Sequence, residues 1–123
     1  MRAFIVEDDE SMRIILKRLL RKNFPSIKEN GECESAEQAL NQIHAFCPDL
    51  MLVDISLPGI DGIELIRRID KKKGRVRILV VTGHEIDIYK RAALSAGADD
   101  IVSKADDRKF LDLVAELLDK KRT

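Results

Sequence analysis

The sequence is poor in several features that mark common classes of protein. Cysteine is scarce, since Cys33 and Cys47 are too few for a disulfide framework and lack the spacing of a metal site. The 22 basic and 22 acidic residues leave no net charge, which argues against a nucleic-acid-binding module because such modules usually carry a basic excess. No apolar run approaches the ~18 residues of a membrane span, and the N-terminal apolar stretch is too short for a signal peptide.

These absences predict a cytoplasmic protein with reduced thiols that makes no direct contact with nucleic acid and none with membranes. What the chain does have is the apolar content of a folded protein, since 45% of its residues are hydrophobic. Its length suits one domain, and it shows no linker, repeat or low-complexity segment, so residues 1–123 are interpreted as a single domain. Its acids are unevenly placed, because Glu7, Asp8, Asp9 and Glu10 follow one another.

Short apolar runs alternate with amphipathic segments along the chain. The predicted strands are residues 3–6, a weaker run within 27–33, 50–53, 78–81 and 101–102. The predicted helices are 11–23, 35–46, one marked by Ile63, Ile66 and Ile69 and closed by 71–74, one ending at Gly97, and one capped by Asp106 or Asp107. This alternation indicates an α/β fold: a flavodoxin-like (βα)5, doubly wound parallel sheet with strand order 2-1-3-4-5.

Local signals predict further details of these elements. Ser35 and Gln38 have capping-box spacing, and Pro58 and Gly59 suit the central positions of a type II turn. The predicted buried faces are Met12, Ile15, Leu16 and Leu19 in the first helix, Tyr89, Ala92, Ala93 and Ala96 in the fourth, and Phe110, Leu113, Val114 and Leu117 in the last. A run of cations is interpreted as a solvated helix end: Lys71, Lys72, Lys73, Arg75 and Arg77.

Polar residues follow each strong strand at the point where it ends. They are Glu7 and Asp8 after the first strand, Asp54 after the third, Thr82 after the fourth, and Ser103 and Lys104 after the fifth. The carboxyl ends of parallel strands share one edge of the sheet, where ligands bind. With strands 1 and 3 adjacent, Asp8 and Asp54 are expected to face each other.

Helix capping is the alternative explanation for such residues. It suffices for Asp9, Glu10 and Ser11, which stand at the entry to the first helix. It does not suffice for Asp54, which lies too far before the next helix to cap it. Lys104 taken alone would be a solvated loop cation, but its convergence with the acids favours a site.

The chemistry of this set suits phosphoryl transfer. Crowded carboxylates repel one another and take up a cation, and Mg²⁺ binds carboxylates while sharing oxygens with a phosphate. An aspartate beside Mg²⁺ can attack phosphorus and become an aspartyl phosphate. A hydroxyl and an ammonium would then hold the phosphoryl oxygens.

These residues resemble a known family. Segments 4–9, 52–62, 80–83 and 96–104, in this order and at these strand ends, are similar to the receiver domain of two-component response regulators. The similarity covers essentially the whole chain. It implies a signalling switch that promotes its own phosphorylation and dephosphorylation but does not turn over external substrates.

The resemblance also implies roles for single residues. Asp54 would accept a phosphoryl group from a sensor histidine kinase or a phosphotransfer protein. Asp8 would bind Mg²⁺ directly, Glu7 largely through water, and the backbone carbonyl of Ser56 would complete the protein's share of the site, where Mn²⁺ could substitute.

Two further residues would respond to the phosphoryl group. Thr82 would move its hydroxyl toward it, and Lys104 would pair with Asp54 before the reaction and with phosphate after it. The added charge would rearrange the face of helix 4, strand 5 and helix 5, which would control an output such as transcription.

The sequence departs from the family pattern at two positions. Ile101 stands where the family commonly has an aromatic switch residue, and Ala105 follows Lys104 where proline is usual, so a trans peptide is expected there. These departures keep open a pseudo-receiver, an interaction module that works without phosphorylation. An enzyme reading is less favoured, because Ser56 stands where aspartyl phosphatases have a second aspartate and no glycine-rich phosphate loop occurs.

Smaller features carry two more hypotheses. Ser56 and His84 each lie two residues after a site residue and would border the attacking water, so His84 is predicted to modulate dephosphorylation or partner access; the alternative is an exposed loop histidine. Leu111, Ala115 and Leu118 form a second apolar stripe on the last helix, which predicts a homodimer through helix 5 with helix 4 and strand 5. The alternative is a broad core face.

Overall fold

A computed structural model describes residues 1–69 and 76–119 of the chain. In these residues, strands and helices alternate strictly. The strands are β1 (Arg2–Val6), β2 (Glu29–Cys33), β3 (Leu50–Val53), β4 (Arg77–Thr82) and β5 (Asp100–Ser103). The helices are α1 (Glu10–Asn23), α2 (Ala36–Phe46), α3 (Gly62–Arg68), α4 (Ile86–Ala96) and α5 (Asp107–Asp119).

The strands form one parallel sheet in the order β2-β1-β3-β4-β5, which confirms the predicted flavodoxin-like α/β fold. The register places Val6 beside Val53 and Val53 beside Val80, so β1 and β3 end level and β4 continues two residues further, to Thr82. The strand expected to be weakest, β2, is also present and pairs with β1 along its whole length.

Each face of the sheet has its own apolar core. Val6, Val53 and Val80 belong to the cluster on the face that α2, α3 and α4 cover. Their neighbours Ile5 and Leu52 belong to the opposite cluster, which α1 and α5 cover. Successive side chains on a strand point to opposite faces, and both faces are buried at β1, β3 and β4, which explains why these central strands are apolar without alternation.

The predicted caps and turns are largely confirmed. The Asp9 side chain accepts the Ser11 N–H at the start of α1, and Ser35 accepts the Gln38 N–H at the start of α2. Gly59 has φ +77°, which the third position of a type II turn requires. Helix α4 ends at Gly97 with φ 125°, a conformation that side chains strongly disfavour.

Two predictions about burial are wrong. Ile15 is 44% exposed, whereas Leu20 is fully buried, because the buried stripe of α1 is centred on Leu16 and Leu20, four residues apart. Arg77 is 9% exposed and opens β4, where its N–H donates to the Asp49 carbonyl, so it is no part of a solvated helix end. The remaining cations of that run and the predicted helix closure at 71–74 lie outside the described residues.

The structure specifies where α3 ends and which face of α5 is buried. Helix α3 ends at Arg68, and Ile69 is its extended C-cap residue, not part of its helical face. All four predicted core residues of α5 are buried. Leu111 and Leu118 are half-buried against the same core and Ala115 is exposed, so part of the second stripe belongs to a broad core face.

Every peptide bond of the described residues is trans, including the one between Lys104 and Ala105. Among the described helices, none is both long and apolar enough to cross a membrane.

Candidate functional site

The carboxyl ends of four strands bring the predicted site residues to one edge of the sheet. Parallel pairing continues past the strands, since the Asp54 N–H donates to the Val6 carbonyl over 3.0 Å and the Lys104 N–H donates to the Thr82 carbonyl over 2.8 Å. Asp54 is thereby held beside the residues that follow β1, and Lys104 beside the end of β4.

Three carboxylates meet at this edge. Glu7 and Asp54 are 1% and 4% exposed, whereas Asp8 is exposed. One carboxylate oxygen from each lies within 4.8 Å of the other two. An all-oxygen donor set with one solvent-facing member fits Mg²⁺, which binds one or two carboxylates and keeps several waters.

Lys104 is the cation that faces these acids. Its Nζ lies 2.7 Å from Glu7 Oε1 and 3.3 Å from Asp54 Oδ2. Burial alone would lower the pKa of this ammonium, but the hydrogen bond to Glu7 and the charge of Asp54 raise it above its usual value. Lys104 is therefore held in its charged form between two buried carboxylates.

The acids exceed the one ammonium that they share. Burial and the nearby charge of Asp54 raise the pKa of Glu7 to about 7, although the hydrogen bond with Lys104 acts in the opposite direction. Glu7 is thus buried close to a second carboxylate. A divalent cation would supply further positive charge, so the residues present fit a metal ion.

Thr82 ends β4 with its side chain fully buried. Its Oγ1 accepts the backbone N–H of His84 over 3.0 Å. The hydroxyl that was predicted to contact a phosphoryl group is thus held by the loop between β4 and α4.

Ser56 and His84, which were both predicted to border the attacking water, contact each other. Ser56 Oγ and His84 Nε2 share a hydrogen bond between the loop after β3 and the loop after β4. The His84 ring also lies against Tyr89 of α4, with ring centroids 5.4 Å apart and planes tilted by 55°. The sequence signal for Ser56 and His84 was their matching position, two residues after a site residue. Nothing in the sequence indicated that Tyr89 contacts His84, beyond its place in the helix.

Gly62 is a site residue that the sequence analysis did not single out. A Cβ atom added there would overlap the carbonyl oxygen of Asp54, and its own N–H donates to the Ile55 carbonyl over 2.9 Å. A side chain at this position would therefore displace the backbone that carries Asp54. The pair Asp61-Gly62 at the start of α3 was the available sequence signal, since Asp61 caps that helix.

Comparison with known proteins agrees with this geometry. A family model described as the response regulator receiver domain matches residues 3–116. The response regulator UvrY of Escherichia coli O6:H1 is 32% identical over 102 residues, which are 83% of this chain and 46% of UvrY. The transcriptional regulatory protein PhoP of Escherichia coli K12 is 36% identical over 104 residues, 85% of this chain and 45% of PhoP.

One solved structure is similar to this chain over nearly the whole length of both. The crystal structure of a putative response regulator from Chloroflexus aurantiacus J-10-fl superposes with a TM-score of 0.84 at 31% identity and covers 97% of this chain and 98% of its own. By contrast, the chain spans about half the length of UvrY and PhoP, at 46% and 45%.

The acidic cluster of this site agrees with the general properties of receiver domains. They are signalling domains, not turnover enzymes, and they partner with histidine kinases or phosphotransfer proteins. They bind Mg²⁺ at an acidic pocket, and this chain has one in Glu7, Asp8 and Asp54. With its fold, its acidic pocket and a family match over most of its length, the chain belongs to the response regulator receiver domain family.

Proposed function

We propose that residues 1–123 form one phosphorylation-dependent switch, in which Asp54 accepts a phosphoryl group from the phosphohistidine of a sensor kinase or a phosphotransfer protein. One observation carries the proposal. The Asp54 carboxylate is 4% exposed, lies within 4.8 Å of the carboxylates of Glu7 and Asp8, and has the Lys104 ammonium 3.3 Å from its Oδ2. A buried acid with a cation and two further acids around it is arranged for attack on phosphorus.

In the proposed step, a carboxylate oxygen of Asp54 attacks the phosphorus atom. The new O–P bond forms as the bond from phosphorus to the histidine nitrogen breaks, and the electron pair of that bond leaves with the imidazole. Mg²⁺, or Mn²⁺ in its place, would neutralise charge on the phosphoryl oxygens when bound. Glu7, Asp8, Asp54 and the backbone carbonyl of Ser56 would hold it.

Lys104 and Thr82 would respond to the new group. The Lys104 ammonium, already charged and 2.7 Å from Glu7, would pair with a phosphoryl oxygen beside Asp54. The Thr82 hydroxyl would turn from the His84 N–H toward another oxygen. Reversal by water would complete the cycle, with Ser56 and His84 bordering the attacking molecule and setting the lifetime of the phosphoryl group.

The output would pass through the face of α4, β5 and α5. Ile88 and Leu94 of α4 are 66% and 41% exposed, and Leu111 and Leu118 of α5 are half-buried. Such an apolar surface suits a second copy of the chain. The proposed homodimer would form on phosphorylation and control an output such as transcription.

A second candidate is a receiver that signals without phosphorylation. Ile101 favours it, because a 3% exposed aliphatic residue stands in β5 where the family commonly has an aromatic switch residue. The intact set of Asp8, Asp54, Thr82 and Lys104 favours the first proposal.

Mass measurement after chemical phosphorylation tests the two candidates. The protein is incubated with Mg²⁺ and acetyl phosphate and then weighed intact. We expect one phosphoryl adduct in the wild-type protein and in Asp87→Asn, which alters an exposed acid of α4, and none in Asp54→Ala. A folded wild-type protein that gains no adduct would favour the second candidate, and turnover of acetyl phosphate by Asp54→Ala would indicate an enzyme.

A further inference from the structure

His84 makes three contacts that join different parts of the molecule. Its backbone N–H donates to Thr82 Oγ1 over 3.0 Å, its Nε2 shares a hydrogen bond with Ser56 Oγ, and its ring lies 5.4 Å from that of Tyr89. The first two partners belong to the edge of the sheet where Asp54 lies. The third belongs to α4.

Both polar partners of His84 belong to segments that adjoin Asp54 in the sequence or the sheet. Ser56 is two residues beyond Asp54 on one side, and Thr82 ends the neighbouring strand β4 on the other. A group added to the Asp54 carboxylate would therefore disturb the partners of His84 from two directions. Ser56 lies 28 positions before His84 in sequence, so their hydrogen bond ties two separate loops together.

Tyr89 connects His84 to the interior of the protein. It is half-buried and packs against the same core cluster as Ile101. A shift of the His84 ring would reach α4 and this cluster through the tyrosine. Ile101, a buried aliphatic residue of this cluster, has no ring whose rotation could relay a shift of Thr82.

We propose that His84 is a positioning residue that couples Thr82 to α4 through Tyr89. The proposal rests on the proposed function. It specifies how phosphorylation of Asp54 would change the position of α4. When the Thr82 hydroxyl turns toward a phosphoryl group on Asp54, the His84 N–H loses its acceptor. The His84 ring then changes its contact with Tyr89, and the first turn of α4 moves.

The composition of the chain provides a probe for this step. Tyr89 is the single tyrosine and there is no tryptophan, so intrinsic fluorescence reports on one ring beside His84. The emission is recorded before and after addition of Mg²⁺ and beryllofluoride, a mimic of the phosphoryl group. Bound beryllofluoride is quantified separately by fluorine NMR.

We expect the wild-type emission to change on binding and His84→Ala to lose most of that change at equal occupancy. His84→Gln keeps a polar group for Ser56 but has no ring, so it should lose the change as well. Ser56→Ala releases one anchor of the ring and should reduce the change. Ser95→Ala, an exposed position on the same helix, should respond like the wild-type protein, and circular dichroism verifies that each variant is folded.

Each remaining outcome overturns the coupling. A full emission change in folded His84→Ala at equal occupancy would show that Tyr89 responds by another route. An unchanged wild-type emission at full occupancy would show that Tyr89 does not respond, while the proposed function stands. A wild-type protein that binds no beryllofluoride and gains no adduct from acetyl phosphate would overturn the proposed function and the coupling together.

Discussion

Acidic side chains stand at both ends of the sheet, but they have opposite surroundings. At the amino end, Asp49 Oδ2 accepts the Arg2 N–H and Asp99 Oδ2 accepts the Ile78 N–H, each over 2.7 Å. At the carboxyl end, the acids face one another, and Glu7 and Asp54 share the ammonium of Lys104.

The difference separates acids that cap strand starts from the acids proposed to react, since Glu7 accepts the Asp9 N–H over 3.2 Å but also shares Lys104 with Asp54. A carboxylate that accepts a backbone N–H satisfies a donor that would otherwise be left unpaired at the strand start. At the carboxyl end, burial and then the nearby charge of Asp54 raise the pKa of Glu7 to about 7, which marks a carboxylate in perturbed surroundings. The number of acids therefore distinguishes the two ends less well than the groups that those acids contact.

The strongest test of this contrast removes the shared cation. Lys104→Met should slow formation of the phosphoryl adduct by about a hundredfold, because one preorganised charge no longer faces the phosphoryl oxygens. The rate is followed by intact mass with acetyl phosphate and Mg²⁺. Lys109→Met, at an exposed position of α5, is the matched control and should react like the wild-type protein. A Lys104→Met rate equal to wild type would remove Lys104 from the reactive set.

The second test removes a carboxylate at the amino end of the sheet. Asp99→Ala should lower the free energy of unfolding by about 1–3 kcal/mol, because the Ile78 N–H loses its carboxylate partner. Urea denaturation measures the loss, and Asp112→Ala at an exposed position of α5 serves as control. The rate of adduct formation should stay at the wild-type value. If Asp99→Ala slowed phosphorylation and left stability unchanged, the contrast between the two ends would fail.

A smaller effect distinguishes the two cysteines, which also lie toward opposite ends. Cys33 closes β2 at the carboxyl end, and burial raises its pKa from 9.0 to about 11, which leaves roughly a hundred times less thiolate. Cys47 is exposed and precedes β3. Iodoacetamide at pH 8 should therefore alkylate Cys47 first, and peptide mapping against time measures both rates. Equal rates would show that Cys33 is more accessible than its burial implies.

Patterns that repeat along the chain predicted most of the fold. The apolar runs indicated the central strands because both of their faces are buried, whereas β2 gave a weak signal because it is a polar, partly exposed edge strand that Asn30 and Gly31 interrupt. The burial of Arg77 was missed because the apolar run predicted a strand that starts only at residue 78. That burial depends on its place at the start of β4, beside Leu50 of β3.

The site was predictable to the extent that it follows from strand ends. Asp54, Thr82 and Lys104 each come directly after or at the end of a strand, so topology alone brings them to one edge. The contact between Ser56 and His84 joins two loops whose conformations no periodicity encodes. Gly62 is a similar case. Only the position of the Asp54 carbonyl oxygen in the fold shows that no side chain fits at Gly62.

The long separation between Asp54 and Lys104 bears on how the protein is made. The two residues are fifty positions apart in sequence, and Lys104 follows β5, the last strand and an edge of the sheet. During synthesis, a growing chain exposes Asp54 and Glu7 well before the ribosome has added the lysine. Lys104 can pair with Glu7 and Asp54 only after β5 has joined the sheet, so the charges around Asp54 are balanced in this way only in the folded domain.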